Sequence, residues 1–451
     1  MLRFHACVPP SSVANPGIQK SAILKSAFSR LISQLCVEWH LGDDVGIPID
    51  RRLSTKLNED LSMSNAATIV GWAHSPFGKL PDLDLESLIT GVVRDALAHA
   101  EIGAADVDFM TVGVFNNGLS PQGFEAGLAS LADPLLRFTP SLHVENACAT
   151  GTAAIYSAAD FIESGRGRIA LAIGAEKMTA VHASELPRIL LSGCYRKEEE
   201  NPLGFAGIFG AIAQAYFDKY GDRSEELAMI AAKNHANAVC NPFAHVRKDL
   251  GYEFCNQVSN QNPLVAGPLR RTDCSMVSDG AAAVVLADGV TAATLRRAIR
   301  FRARTQVNDF LPLSRRDPTA FEGARQAWSR AMAQAGVDLK HLSLVETHDC
   351  FTIAELIEYE AMGLVPPGQG GRAIREGLTA KDGQLPVNVS GGLKARGHPL
   401  GATGVSQHVM AAMQLMGEAG QMQVNNANLA GVFNMGGAAV ANYVSILERS
   451  R

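Results

Sequence analysis

The chain has 451 residues, 47% hydrophobic and 19% charged, with a formal net charge of −5, which describes a globular protein long enough for two cores of domain size. The acidic balance leaves no electrostatic footprint for nucleic acid, and no apolar run reaches the length needed to cross a bilayer. The eight cysteines are scattered, without a CxxC or a metal-ligand spacing, so neither a disulfide framework nor a zinc site is indicated and a reducing compartment fits best.

Residues 1–62 read as an N-terminal extension, expected to be poorly ordered. Met1 to Leu35 carries Arg3, Lys20, Lys25 and Arg30, no acidic residue and many serines. That is the pattern of a transit peptide. The alternative is a leader without function, with Met63 as a second possible start. A cytoplasmic protein is the first expectation, a mitochondrial one if the leader is a genuine transit peptide.

From Ala66 onward apolar runs and helical patterns alternate. Ala67 to Trp72 predicts a strand, Leu85 to His99 an amphipathic helix and Phe109 to Phe115 another strand, so the class is α/β. In Glu145-Asn146-Ala147-Cys148-Ala149-Thr150-Gly151-Thr152, a polar approach enters a cysteine and small helix-forming residues follow. That pattern sets a thiol at a helix N-terminus, where free N–H groups and the dipole favour a thiolate. The stretch from about Lys177 to Arg271 lengthens the first half; it is polar but holds a helical run, Ala206 to Tyr220, and is read as an insertion folding over the site.

The chain repeats itself weakly. Ala98 to Gly103 and the strand after it resemble Ala333 to Leu339 and Leu342 to Val345, and Gly280 to Leu286 resembles Gly437 to Tyr443. Two similar halves, 63–289 and 290–451, follow, with active loops converging at a pseudo-twofold axis. The second half supplies His348-Asp349-Cys350-Phe351 and Gly397-His398-Pro399. With Cys148 these offer a nucleophile, a base and a second acid/base. Neither GxGxxG nor a P-loop is present.

Taken together, Cys148 in its Ala-Thr-Gly setting, Gly174 to Met178, Asp279 to Ala283, Asn388 to Gly392 and Gly397-His398-Pro399 resemble the thiolases, over about Ala66 to Glu448. His348 to Phe351, Lys233-Asn234-His235 and Asn241-Pro242 resemble the sterol-carrier-protein-2-type branch. The resemblance implies two βαβαβ-type halves in a layered αβαβα arrangement with an inserted loop domain. It also implies acyl-CoA:acetyl-CoA C-acyltransfer, by cleavage of 3-ketoacyl-CoA or by Claisen condensation, in lipid metabolism such as fatty acid degradation. One departure stands out: where most thiolases carry a second catalytic cysteine in Cys-x-Gly, this chain has Asn434-Met435-Gly436.

On this resemblance Cys148 is the nucleophile, His398 its base and Cys350 the group that moves the α-proton, with His348 donating to the thioester oxygen. The backbone N–H groups of Cys148 and Gly436 form a second oxyanion hole, and Ser275 touches the pantetheine arm. Arg247, Lys248, Arg270 and Arg271 could meet CoA phosphates. No metal or prosthetic cofactor is implied, because acyl-CoA, acetyl-CoA and CoA are the substrates. A homodimer or homotetramer is expected. Ketoacyl-synthase-like condensation or aldolase-type cleavage is the alternative chemistry, and a non-catalytic scaffold the third.

Overall fold

A computed structural model describes residues 65–450; the expected extension, residues 1–62, lies outside the described residues. The first half runs through β1 (Thr68–His74), α1 (Leu85–Ala100), β2 (Phe109–Gly113), β3 (Ser141–Val144), α2 (Thr150–Glu163) and β4 (Ile169–Glu176). An excursion follows, carrying α3 (Phe205–Tyr220), α4 (Ser224–Ala238) and the hairpin β5 (Leu264–Ala266) and β6 (Leu269–Arg270), before β7 (Gly280–Ala287). The second half runs through β8 (Ile299–Asn308), α5 (Glu322–Ala335), β9 (Leu344–Glu346), α6 (Thr352–Ala361), α7 (Leu400–Met416), β10 (Leu429–Gly436) and β11 (Ala441–Arg449).

The repeat seen in the sequence is a repeat of structure. Strand order is β3-β2-β4-β7-β1-β8-β11-β10-β9, so β1-β7-β4-β2 of the first half matches β8-β11-β10-β9 of the second. The halves meet through a short antiparallel pairing of Thr68 with Arg300 and Ile69 with Ile299. The counterpart of β3 shrinks to one bridge, between Val345 and Val387. The sequence similarity at the ends of α1 and α5 is a shared way of stopping a helix: Glu101 and Gly336 take left-handed φ values of 59° and 64°.

β4 (IALAIGAE) and β7 (GAAAVVLA) are buried at every position, which is why they read as unbroken small and apolar runs. Alternate residues feed different layers. Ile169, Leu171 and Ile173 pack with Leu88, Ile89 and Val92 of α1. Ala170 and Ala172 turn the other way, toward Ile155 of α2 and Val405 and Val409 of α7, where Ala430 and Val432 of β10 join them from the second half. Phe433 and Met435 face outward again, into a core with Trp328 of α5 and Ile353 of α6. The result is α1, sheet, α2 with α7, sheet, then α5 with α6: the expected αβαβα layering.

Helices α2 and α7 touch backbone to backbone. A Cβ on Gly151 would lie 2.7 Å from the Gly401 carbonyl, and one on Gly404 would lie 2.3 Å from the Thr152 nitrogen. Only hydrogen fits there, and the loops that begin these helices are thereby drawn together. Among the described residues no helix is long and apolar enough to cross a membrane.

Candidate active site

Cys148 sits on the bend between β3 and α2. Ala147 just before it is in the left-handed region at φ 49°, a conformation that a non-glycine residue adopts only under constraint. The constraints are visible. The Thr150 hydroxyl donates to the Ala147 carbonyl at 2.6 Å and accepts from the Asn146 N–H at 2.8 Å, while Asn146 Nδ2 donates to the Tyr443 hydroxyl at 2.7 Å. Gly436 at the end of β10 closes in from the other half: a Cβ there would lie 2.4 Å from the Asn146 carbonyl.

His398 lies between Gly397, at φ 113°, and Pro399, the residue that caps α7. Thr403 Oγ1 is 2.7 Å from His398 Nδ1 and 2.9 Å from the Pro399 carbonyl. A carbonyl only accepts, so the hydroxyl hydrogen goes to Pro399 and Nδ1 of His398 carries the other hydrogen. Its Nε2 is therefore a lone pair, as a base requires.

His348 and Cys350 occupy the turn between β9 and α6. His348 N–H donates to Glu358 at 3.0 Å. Asp349, between them, accepts from the backbone N–H groups of Leu393 and Lys394 at 2.6 and 3.1 Å, tying this turn to the segment that leads into His398. Asn234 donates to Asp349 at 2.7 Å and to Glu355 at 2.6 Å, and Lys233 pairs with Glu355 at 2.8 Å. The Lys233-Asn234 element is thus a brace behind the turn. Behind it, too, the fully buried pair of Arg396 and Glu346, 3.0 Å apart, joins β9 to the His398 loop.

These loops bring the expected residues together. Cys148, Cys350 and His398 line one cavity of about 220 Å³, with Ser275, Cys274, Gly437 and Phe351. One nitrogen of each of His348 and His398 and the Cys148 sulfur lie within 4.8 Å of one another, and the two imidazoles stand edge to face with centroids 5.1 Å apart. The roof comes from the expected insertion: Leu186, Leu190, Phe205 and Phe209 line the same cavity, and Phe209 stacks on Phe351 at 4.5 Å.

The expectations for Cys148, Gly436 and Arg270 are corrected. Burial pushes the Cys148 thiol up to about 12, against the pull of the Gly437 and Cys148 amides, so the resting group is a thiol rather than the thiolate that helix placement suggested. His398 is held down to about 3 by burial and by the Arg396 charge, so it rests as neutral imidazole. The amide of the strand-end turn that approaches the sulfur belongs to Gly437, at φ 63°, one residue beyond Gly436. Gly436 is instead the residue that lets β10 lie against the bend. Arg270 is not a phosphate ligand, because it is buried in an ion pair with Asp273 at 3.0 Å.

The family models for the thiolase N-terminal domain and the thiolase C-terminal domain-like region match residues 67–250 and 306–449. The chain belongs to the thiolase family. It is 37% identical to an acetyl-CoA acetyltransferase of Methanothermobacter thermautotrophicus, over 84% of this chain and 99% of that one. It is 32% identical to sterol carrier protein 2 of Bos taurus, over 84% of this chain and 72% of that one. In structure it resembles the Acat5 thiolase of Ascaris suum in complex with coenzyme A, with a TM-score of 0.66, 20% identity, and coverage of 85% of this chain and 100% of that one. An Ltp2-ChsH2(DUF35) aldolase superposes with a TM-score of 0.73 at 19% identity, covering 86% of this chain and 99% of that one. At these identities the structural likenesses speak for the thiolase fold. This thiolase is an acyltransferase-family enzyme.

Sequence reasoning did not find Asn434 as a contact of His348, nor Cys274 as a wall of the cavity. Asn434 had a signal: it is an amide within LAGVFNMG, a strand buried at every position.

Proposed function

We propose that this thiolase moves an acyl group between CoA and the α-carbon of acetyl-CoA through an acyl thioester on Cys148. The observation that carries the reading is the single cavity shared by Cys148, Cys350 and His398. In thiolysis the Cys148 thiol attacks the 3-keto carbon as His398 Nε2 takes its proton. The C2–C3 bond breaks, and the carbanion of the departing acetyl-CoA takes a proton from Cys350. The CoA thiol then passes its proton to the Cys350 thiolate as it attacks acyl-Cys148, and the shortened acyl-CoA is released as His398 returns its proton to the Cys148 sulfur. Condensation runs these steps backward, with Cys350 as the base toward acetyl-CoA.

Burial, above all, pushes the Cys350 thiol well above its ordinary value, so Cys350 rests as a thiol with a proton to give. His348 Nε2 and the amides of Cys148 and Gly437 are the oxyanion donors of this scheme. Ser275, on the cavity wall, is proposed to meet the pantetheine arm; the apolar roof suits an acyl chain. The CoA thioester brings its own activated carbonyl, so no prosthetic group enters the scheme.

Intact-mass measurement after mixing with acetyl-CoA tests this reading. An acetyl adduct is expected on the native chain and on Cys350→Ala, which should fail at carbon–carbon exchange; Cys148→Ala should show none. Absence of the adduct from the native chain would overturn the proposal. One observation favours aldolase-type cleavage or ketoacyl-synthase-like condensation instead: position 434 is an amide, unable to move a proton as a thiol does. An aldolase needs no acyl-enzyme and a scaffold forms none, so the adduct excludes both while supporting either acyl-transfer reading.

A homodimer is proposed through the outer edge of β3. Ser141 to His143 of that edge strand are exposed, and Phe124, Leu131, Leu135 and Phe138 lie exposed in the segment before it. Two such edges pair antiparallel across a twofold axis. Light scattering at the mass of one chain would refute it. A cytoplasmic location is proposed, or a mitochondrial one if residues 1–62 direct import, which fractionation decides.

A further inference from the structure

β10 is buried throughout, and an amide in such a strand is costly unless every polar atom finds a partner. Asn434 finds three. Thr152 Oγ1 donates to its Oδ1 at 2.8 Å, and its Nδ2 lies 3.1 Å from the Cys148 carbonyl and 2.9 Å from His348 Nδ1. The Cys148 carbonyl can only accept, which fixes which end of the amide is NH₂. Its second hydrogen then points at His348 Nδ1, so that nitrogen must offer a lone pair. A neutral imidazole that accepts at Nδ1 carries its hydrogen on Nε2. That Nε2 is buried and meets no hydrogen-bond partner among the described residues.

We infer that Asn434 is a positioning residue that sets the tautomer of His348, keeping an N–H on Nε2 free for the substrate oxygen. The inference rests on the acyl-transfer reading of the site. It explains how two imidazoles 5.1 Å apart do opposite work. Thr403 leaves His398 a lone pair at Nε2, and Asn434 leaves His348 a donor there. One ring is a base and the other an oxyanion partner, each assigned by a single neighbour from its own element. The same pattern opposes a metal ion shared by Cys148, His348 and His398, because the free nitrogen of His348 holds a hydrogen where a metal needs a lone pair.

The charged and titratable groups facing His348 are His398, Arg396, Glu358 and Cys148. Burial, with His398 and Arg396, holds it neutral. Asn434→Asp keeps the shape and reverses the hydrogen bond. The carboxylate accepts from Nδ1–H, and Nε2 then turns a lone pair toward the substrate oxygen. Protonating the ring restores Nε2–H, and the new carboxylate favours that protonation.

The test has two arms. In ¹⁵N NMR of the histidine-labelled native chain, with His348 assigned by loss of its signals in His348→Asn, Nδ1 should show the shift of an unprotonated nitrogen and Nε2 that of a protonated one. The reverse assignment overturns the inference, whether or not Asn434→Asp folds. In Asn434→Asp, kcat for condensation should fall by about 10²–10³, the loss expected for one oxyanion donor, with KM nearly unchanged. That loss should shrink as pH falls. A loss that is constant with pH also overturns the inference. The adduct test on the native chain stands apart: if no adduct forms, the acyl-transfer reading fails while the NMR arm still decides the tautomer.

Discussion

Thr403 and Asn434 share a role that neither residue type announces in a sequence: each spends a short side chain on fixing where an imidazole keeps its hydrogen. Thr403→Val keeps the shape and removes the acceptor for His398 Nδ1. The ring is then free to turn or to change tautomer. The rate of Cys148 acylation, followed by stopped-flow mass measurement, should drop at least tenfold and by no more than the roughly 10²–10⁴ that a positioned base contributes. An unchanged rate would mean that the loop backbone alone orients the ring. That Cys148, His398 and the His348 turn belong to one site was legible because their neighbours, a bend before small residues and a Gly-His-Pro turn, are local. The Gly437 amide was missed by one residue because the register of a turn after a strand depends on what the strand packs against, here the Asn146 carbonyl. The thiol state of Cys148 was missed for a related reason: a helix terminus is visible in sequence, while the depth of burial that outweighs it is not.

Among the elements, α2 and α7 carry the site. Each starts at a loop of the candidate site, and they meet at Gly151 and Gly404 with no side chain between them. Gly404→Ala would place a methyl group 2.3 Å from the Thr152 nitrogen and 2.4 Å from Asn434 Oδ1. Overpacking usually costs about 1–3 kcal/mol, and a backbone neighbour that cannot yield puts this substitution at the upper end. Thermal unfolding should register that loss, and the activity of the remaining folded protein should fall as well, since Cys148 and His398 are pushed apart. If activity per folded molecule is kept, the crossing does not set the site. The strands and helices themselves were readable from unbroken apolar runs and helical spacing, and the two matching helix ends revealed the repeat. The fifth strand of the second half was not readable, because only one bridge at Val387 survives of it.

For the whole molecule, buried titratable groups decide the response to acid. His74, His99, His235, His245, His348, His398 and His408 all have lowered pKa values, chiefly from burial. The unfolded chain binds protons at these sites from about pH 6.5 downward, and the folded chain does not. Their contribution is fully present above that pH and is lost as pH falls toward the lowered values, about 3 for His74, His235 and His398. Glu176 and Asp349, raised to about 7, and Glu358 and Glu360, raised as well, act in the opposite sense, since they take up protons first in the folded state. The histidines are the larger set, so denaturant midpoints should fall between about pH 6 and pH 4. A midpoint that holds level or rises over that range would show the carboxylates prevailing.

The backbone contact between the two middle helices has a consequence for how the molecule ages and warms. The spacing of sulfur and imidazole is gauged by main-chain atoms that have no rotamers to explore, and the outer helices only press on that gauge from a distance. Leu88→Ala in α1 should therefore remove about 2–5 kcal/mol of stability, as buried leucine truncations do, while turnover per native molecule at low temperature stays at the parental level. The catalytic spacing would then outlast a softened periphery until the chain opens altogether, and a heated sample would lose active molecules without passing through a population of slow ones.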